Sequence, residues 1–427
     1  MLLKEYKKIE EKMYVEKLKN GLTVKIVPKK YAKKKHVYLC VNYGAKNTDF
    51  YINEKRINTS YGTAHFLEHL MFQMENKVDA MEVFSKQGAS ANAYTCYDNT
   101  VYYFSTVSNL EKNLNLLLNL TQSLDCSEND VEEERGIITE EIKMDLDSPE
   151  DNLITGIANN LFNETYINNE IAGTIESIKM IDISILKQVF NAFYRPDNME
   201  LIIVGNVEKE KVLELINKNQ LGKSFSNQNI SKVEEKKDYI SFPYKEKDSK
   251  IMEIVTPKVA IALKIKPDFA KAVDEFIFKK VYRIIFSHYF SATSDNWQEM
   301  LDLELVSKDF DFSIYTHDNY NFIIFETSSN KPLDFISYLY NKINAINIEG
   351  IDEESFFVYK RVIVGTEIRG LGSIANISSS LAENCFKEID YFENLEKLEK
   401  IDLEIIKSAI KSIDKNTLTN FIIYPKI

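Results

Sequence analysis

One pattern constrains the fold of this chain more than any other. A helix–turn–strand unit occurs near the end of each half of its 427 residues. From Asp182 to Val207 the sequence reads as an amphipathic helix (ISILKQVFNAF), a turn (YRPDN) and an apolar strand (MELIIVGNV). About 218 residues later, over 402–425, the same order returns as DLEIIKSAIKSI, DKNT and LTNFIIYP. A chain of this length is expected to divide into two or three domains of roughly 100–200 residues each, and the repeat points to two related halves. The stretch Ser226 to Lys250 is polar, charged and without helical periodicity, which marks it as the expected linker. The expected domains are therefore 1–225 and 251–427, joined by a linker over 226–250.

Local signals in the first half mix strands and helices without strict alternation. NGLTVKIVP and HVYLCVNYG read as strands, Thr63 to Phe72 as a helix, and Ala91 to Thr106 as a hairpin turning at Asp98-Asn99. Leu110 to Leu124 and Asp130 to Leu146 read as two further helices. Such a mixture favours an α+β fold over a doubly wound parallel sheet. The Lys-rich run Lys29 to Lys35 is expected to be a solvated loop between two strands.

Charge and cysteine usage narrow the function classes. Lys+Arg 53 against Asp+Glu 65 leaves a net charge of −12, the wrong sign for a general nucleic-acid binder. The four cysteines are scattered with no CxxC pair, which fits a reducing compartment. The N-terminus MLLKEYKKIEEKMY has no apolar core of a signal peptide, and no apolar run reaches the ~18–20 residues of a membrane span. The expectation is a cytoplasmic protein with no membrane partner.

Chemistry concentrates in one place. Two of the five histidines lie in Gly62-Thr63-Ala64-His65-Phe66-Leu67-Glu68-His69-Leu70. On a helix, positions i and i+4 share a face, so His65 and His69 can present two imidazoles to one ion, with Glu68 alongside. Zinc hydrolysis needs that set: two neutral nitrogen ligands and a carboxylate near the reacting water. The order H-x-x-E-H is the inverzincin motif. Thr63 is expected to cap the helix N-terminus. A third ligand is expected from the acidic helix that follows, EEERGIITEEIKMDL, where Glu140 and Glu141 are both candidates and Glu141 shares a face with Glu134. His36, His288 and His317 are expected to be ordinary surface or core histidines.

Five segments, in order, resemble the pitrilysin/insulinase family of zinc metallopeptidases in its short, processing-peptidase-like bacterial branch. They are GTAHFLEHLMF, GASANAYTCYDNTVYYF, EERGIITEEIKM, IAGTIESIKMID and FYRPDNMELIIVGNV. The resemblance covers most of the first half and is weak in the second. It implies zinc (Zn2+) as cofactor, with His65, His69 and Glu141 as ligands and Glu68 as the general base. The E-R pair Glu134-Arg135 sets the register, since the family's third ligand lies seven residues beyond it and 134 + 7 = 141. Glu134 is then the outer carboxylate that orients a ligand histidine. The implied substrate is an unfolded or short peptide lying along Ala91 to Tyr94, with Asn92 and Ala93 as binding positions. The implied architecture is two similar α/β-sandwich-type domains, a duplicated sheet with helices on one face, forming half of a clamshell chamber.

One departure bears on partners. The family's R-x-x-x-G-L-x-Y motif supplies an Arg and a Tyr to the active site, and the corresponding stretch here, DNWQEMLDLELVSKDFDFSIY, has neither at that spacing. The resemblance therefore implies a homologous sister subunit, with a heterodimer favoured and a homodimer as the alternative. Two competing readings are a non-catalytic peptide-binding or assembly subunit, and a structural zinc protein. The latter normally has four protein ligands, usually including Cys, and the sequence places no Cys beside the motif.

Overall fold

A computed structural model describes residues 1–74, 77–233 and 238–426. The chain forms two compact units. One comprises Met1–Ile142, Asn169–Glu234 and Ile368–Glu396; the other comprises Lys143–Asn168, Glu235–Glu367 and Lys397–Ile427.

The first unit is built on seven strands, in chain order β1 (Leu2–Tyr6), β2 (Glu11–Lys17), β3 (Thr23–Pro28), β4 (Lys35–Val41), β5 (Ala89–Thr95), β6 (Thr100–Thr106) and β7 (Met199–Gly205). Across the sheet they run β1-β2-β3-β7-β4-β6-β5. The second unit holds β8 (Lys247–Met252), β9 (Lys258–Ile265), β10 (Asp311–His317), β11 (Tyr320–Ser328) and β12 (Ile413–Pro425), in the order β8-β12-β9-β11-β10. The five strands β3-β7-β4-β6-β5 and the five strands β8-β12-β9-β11-β10 follow the same plan. In each, the first pair is parallel and the other three are antiparallel. The repeated helix–turn–strand pattern is the visible part of this duplication, because β7 and β12 are equivalent strands.

One face of the first sheet carries Val24, Ile26, Val37, Leu39, Val41, Leu201 and Ile203 into a core shared with helices α1 (Thr63–Leu70), α2 (Leu110–Leu120) and the helix Ile183–Phe193. The alternate residues Cys40, Ile202 and Val204 are also fully buried. Central strands with apolar residues on both faces need cover on both. For the first sheet that cover is the helix Ile374–Glu383, from the second half of the chain, against β4 and β7. For the second sheet it is the helix Pro149–Leu161, from the first half, against β9 and β12. Each half thus lends one helix to the other's unit, which a single cut through 226–250 does not describe.

Three local features differ from the sequence-based expectation. The stretch Ser226–Lys250 contains strand: Ile230–Lys232 pairs with Asp49–Ile52, and β8 begins at Lys247; residues 234–237 lie outside the described set. DKNT (414–417) is not a turn but part of β12, where the ladder to β9 slips between Ala262 and Lys264 and Thr417 Oγ1 accepts from the Lys264 N–H at 2.7 Å. Lys29, in the Lys-rich loop, is buried against Glu11. Among the described residues, no helix is long and apolar enough to cross a membrane.

The entry to α1 also differs. The cap position is Gly62, in the left-handed region at φ 91°, and no side chain caps the helix. Thr63 is the first helical residue, and its hydroxyl donates to Ser60 O at 2.6 Å. A Cβ on Gly62 would lie 2.5 Å from the carbonyl oxygen of Ala172, so both the backbone angle and the close approach require glycine. We expect Gly62→Ala to lower the unfolding free energy by about 1–3 kcal/mol. Gly136, inside the helix Glu128–Asp147 with nothing within 4 Å of a Cβ, should respond oppositely, Gly136→Ala gaining up to about 1 kcal/mol. Urea titrations of the two variants check the contrast in sign.

Candidate metal centre

The site forms where α1, the end of β5 and the helix Glu128–Asp147 (α3) meet. Buried Phe66, Leu67 and Leu70 fix the apolar side of α1 in the core. His65 and His69, one turn apart, are left on its other side with ring centroids 4.5 Å apart. The α3 helix is held against α1 by Arg135. Its guanidinium donates to the carbonyls of Ile178 and Ile181 and lies 5.7 Å from the Phe66 ring centre. That gives the Arg of the E-R pair a physical task, which the spacing alone did not reveal.

Glu141, not its neighbour Glu140, meets the two imidazoles. One Glu141 oxygen is 3.8 Å from His65 Nε2 and the other is 3.5 Å from His69 Nε2. Among the described residues, His65, His69 and Glu141 are the one group of three His, Cys, Asp or Glu donors whose ligand atoms all lie within 4.8 Å of one another. His36, His288 and His317 do not join it. The fold brings Cys96 to the end of β5, immediately after Thr95, but Cys96 is not part of the group either.

The residues fit a zinc ion. Donor separations of 3.5 and 3.8 Å are too long for hydrogen bonds. They are close to the ~3.4 Å edge of a tetrahedron whose metal–ligand bonds are ~2.1 Å. Two imidazoles and one carboxylate, with the fourth position open, is the donor chemistry of a catalytic site. Glu141 is also the most exposed of the three, at 42% against 12% for His65 and 23% for His69, so the group opens toward solvent on that side.

The two imidazoles differ electrostatically. Burial, followed by the charge of His69, pushes His65 down to about 4, which keeps it neutral and able to ligate. Its Nδ1 is buried with no hydrogen-bond partner among the described residues. Burial works most strongly to lower His69, but the Glu134 carboxylate, with Glu141 and Glu68, outweighs it and raises the imidazole on balance. His69 Nδ1 is 2.8 Å from Glu134 Oε1. A carboxylate only accepts, so Nδ1 carries the proton and Nε2 keeps its lone pair for the site. Glu134 is buried and also accepts from Gln73 Nε2 at 2.9 Å. Gln73 and Thr95 are two polar neighbours that the sequence did not single out; only the folded strand and helix ends bring them here.

Glu68 is buried beside the donor group. Burial raises its carboxyl, opposed by the hydroxyl of Thr95 and by His69. Asn92 and Ala93 lie on β5, the sheet's edge strand, bonded only to β6. Asn92 is exposed, and its Oδ1 accepts from the Ala93 N–H at 2.9 Å.

Both the sequence and the fold have relatives among known proteins. Residues 26–175 match the family profile described as insulinase (peptidase family M16), and residues 181–362 match the profile described as the peptidase M16 inactive domain. The chain is 31% identical over 429 residues to a Bacillus subtilis protein named uncharacterized zinc protease YmfH, covering 99% of each. It is 28% identical over 224 residues to the probable zinc protease PqqL of Escherichia coli, covering 49% of this chain and 23% of that protein. Among solved structures, an M16-like peptidase from Alicyclobacillus acidocaldarius superposes with a TM-score of 0.89 at 24% identity, over 97% of this chain and 99% of that one. Pitrilysin superposes with a TM-score of 0.73 at 17% identity, over 99% of this chain but 46% of that one. The two repeated sheets, the HxxEH helix and the end-to-end match together place this chain in the zinc-dependent M16 (insulinase) peptidase family.

Proposed function

We propose that the chain is a zinc-dependent endopeptidase acting on extended, unstructured peptides. The observation that carries this reading is the convergence of His65 Nε2, His69 Nε2 and the Glu141 carboxylate within 4.8 Å, beside the buried carboxylate of Glu68 and an open strand edge. His65, His69 and Glu141 would hold the ion, and Glu134 would fix the ring of His69 through Nδ1. When bound, zinc supplies Lewis acidity, polarising a peptide carbonyl and making water a nucleophile near neutral pH. Glu68 accepts the proton that the attacking water gives up and delivers it to the leaving amine. The edge of β5 offers backbone N–H and C=O groups to an extended peptide, which selects for unfolded chains with loose sequence preference. With Asn92 Oδ1 turned to the Ala93 N–H, the NH2 of the same amide is left to donate to the peptide backbone.

A second subunit is part of the proposal. Peptide hydrolysis gains from further donors to the oxyanion in a closed, water-poor space, and DNWQEMLDLELVSKDFDFSIY lacks the Arg and Tyr of the family motif. Pitrilysin and PqqL have solved chains of which this one matches 46% and 48%, which supports a working unit of two such chains. We favour a heterodimer with a homologue that carries the Arg and Tyr, closing a chamber over the peptide. The same missing motif favours the competing reading, a peptide-binding subunit without activity of its own.

Three measurements test these points. Purified protein is expected to hold about one zinc per chain, lost on His65→Ala or His69→Ala; Glu68→Gln should keep fold and zinc but cleave a fluorogenic peptide about 10²–10⁴-fold more slowly. Unchanged cleavage by zinc-loaded Glu68→Gln would move the base elsewhere. In a second panel, Glu141→Gln should lose zinc while Glu140→Gln keeps it, and Glu134→Gln should weaken zinc affinity about 10–100-fold. Retention of zinc by Glu141→Gln would overturn the ligand assignment. Finally, kcat/KM should rise when a homologous subunit bearing the Arg and Tyr is added; full activity of the isolated chain, with no gain from any homologue, would sink the heterodimer.

A further inference from the structure

Thr95 is the last residue of β5, and its buried hydroxyl donates to Glu68 Oε2 at 2.6 Å. The direction of that bond follows from counting protons. Thr100 stands directly opposite Thr95 in β6 and is fully buried. Its hydroxyl donates to the carbonyl of Tyr43 at 3.0 Å. The two threonine oxygens are 3.5 Å apart, and each hydroxyl has one proton to give. With the Thr100 proton committed to Tyr43, the Thr95 proton goes to the carboxylate, as a short charge-assisted bond. Among the described residues it is the one hydrogen bond that the Glu68 carboxylate receives, so Oε2 is tied to the strand end and Oε1 is left for chemistry. The terminal torsion of a glutamate is broad; without this bond the carboxylate can turn away from the reacting proton.

We propose that Thr95 is a positioning residue for Glu68, so that the strand on which the peptide lies also sets the direction of the base. The inference rests on the reading of Glu68 as general base and β5 as the substrate strand. It assigns Thr95 no contact with the reacting atoms. Loss of its hydroxyl should therefore affect the chemical step and leave metal and peptide binding alone.

The test uses Thr95→Val, which keeps the side chain's shape and β-branching, with Thr95→Ser as the conservative rescue; if Thr95→Val does not fold, Thr95→Ala takes its place. All are assayed beside Glu68→Gln on the full chain, with the partner subunit added where the chain alone is slow. Thr95→Val is expected to lower kcat about 10–100-fold, with unchanged KM, unchanged zinc content and unchanged affinity of the zinc-free protein for an unstructured peptide. Thr95→Ser should recover most of the loss, and Thr95→Val should cost nothing further in the Glu68→Gln background. The inference is overturned by wild-type kcat in Thr95→Val beside an inactive Glu68→Gln. It is equally overturned by a loss that Thr95→Ser does not rescue, or that comes with loss of zinc or of peptide affinity. An active Glu68→Gln would instead bring down the catalytic reading itself, which keeps the two failures apart.

Discussion

The fold depends on burying both faces of its central strands. In β4 and β7 successive residues alternate between two apolar environments, Leu39 and Ile203 facing α1 and α2, Cys40 and Ile202 facing away. Such strands cannot stay half-covered in water, because apolar area costs roughly 25 cal/mol per Å² when exposed. The far face is closed by the helix Ile374–Glu383, and a polar contact fixes where that segment ends. Lys25 and Glu200, two register positions apart on the neighbouring strands β3 and β7, form a largely buried ion pair with N···O 2.5 Å, and Glu200 accepts from the Phe386 N–H at 3.3 Å. Burial opposes the charge on Lys25, and Glu200 more than restores it. Everything at the metal centre stands on this sheet: α1 packs on one face, and β5 is its open edge.

The centre is asymmetric in its supports. His69 is oriented by Glu134, which Gln73 orients in turn, while His65 is held by packing alone, with Nδ1 unpaired among the described residues. A hydrogen-bonded carboxylate fixes tautomer and raises ligand basicity; a buried imidazole without one stays neutral through desolvation. The two imidazoles are thus biased in opposite directions, His69 toward the charged form by its carboxylate neighbours and His65 toward the neutral form by burial. Glu68 sits between these extremes, since its burial is offset in part by Thr95 and His69.

Much of this was legible before the fold was known, for specific reasons. The HxxEH spacing is local, and helical periodicity converts it directly into a shared face. Two helical turns put Glu141 on the face of Glu134, and the register implied by the family resemblance then chose it over Glu140. The strands β3, β4, β6 and β7 announced themselves by apolar runs. What stayed hidden was non-local. The charged run MLLKEYKKIEEKMY gave no alternation to suggest β1 and β2. The link from Thr95 to Glu68 spans 27 positions, and no spacing rule connects a strand end to a helix face. Thr63 looked like a cap because threonine is a good one, but the close approach of Ala172 O gave the cap position to Gly62. The traded helices were invisible for the same reason: no motif singled out Pro149–Leu161 or Ile374–Glu383, and amphipathicity does not say which sheet a helix covers.

The trade of helices has a consequence for how the chain comes off the ribosome. A domain contiguous in sequence can fold as soon as its last residue emerges. Here the unit that carries the metal centre is incomplete until residues 374–383, and the anchoring Phe386, have been made. All seven strands of its large sheet are synthesised well before that, so one face of that sheet must wait, apolar and uncovered, for more than 160 residues of later chain. Its closing contacts, such as that of Glu200 with the Phe386 N–H, carry high sequence separation, the kind that slows folding most. The metal ligands are thus translated early, but the scaffold that holds them becomes stable only near the end of synthesis. A truncated chain ending in the linker would keep every ligand and lack the cover of its sheet.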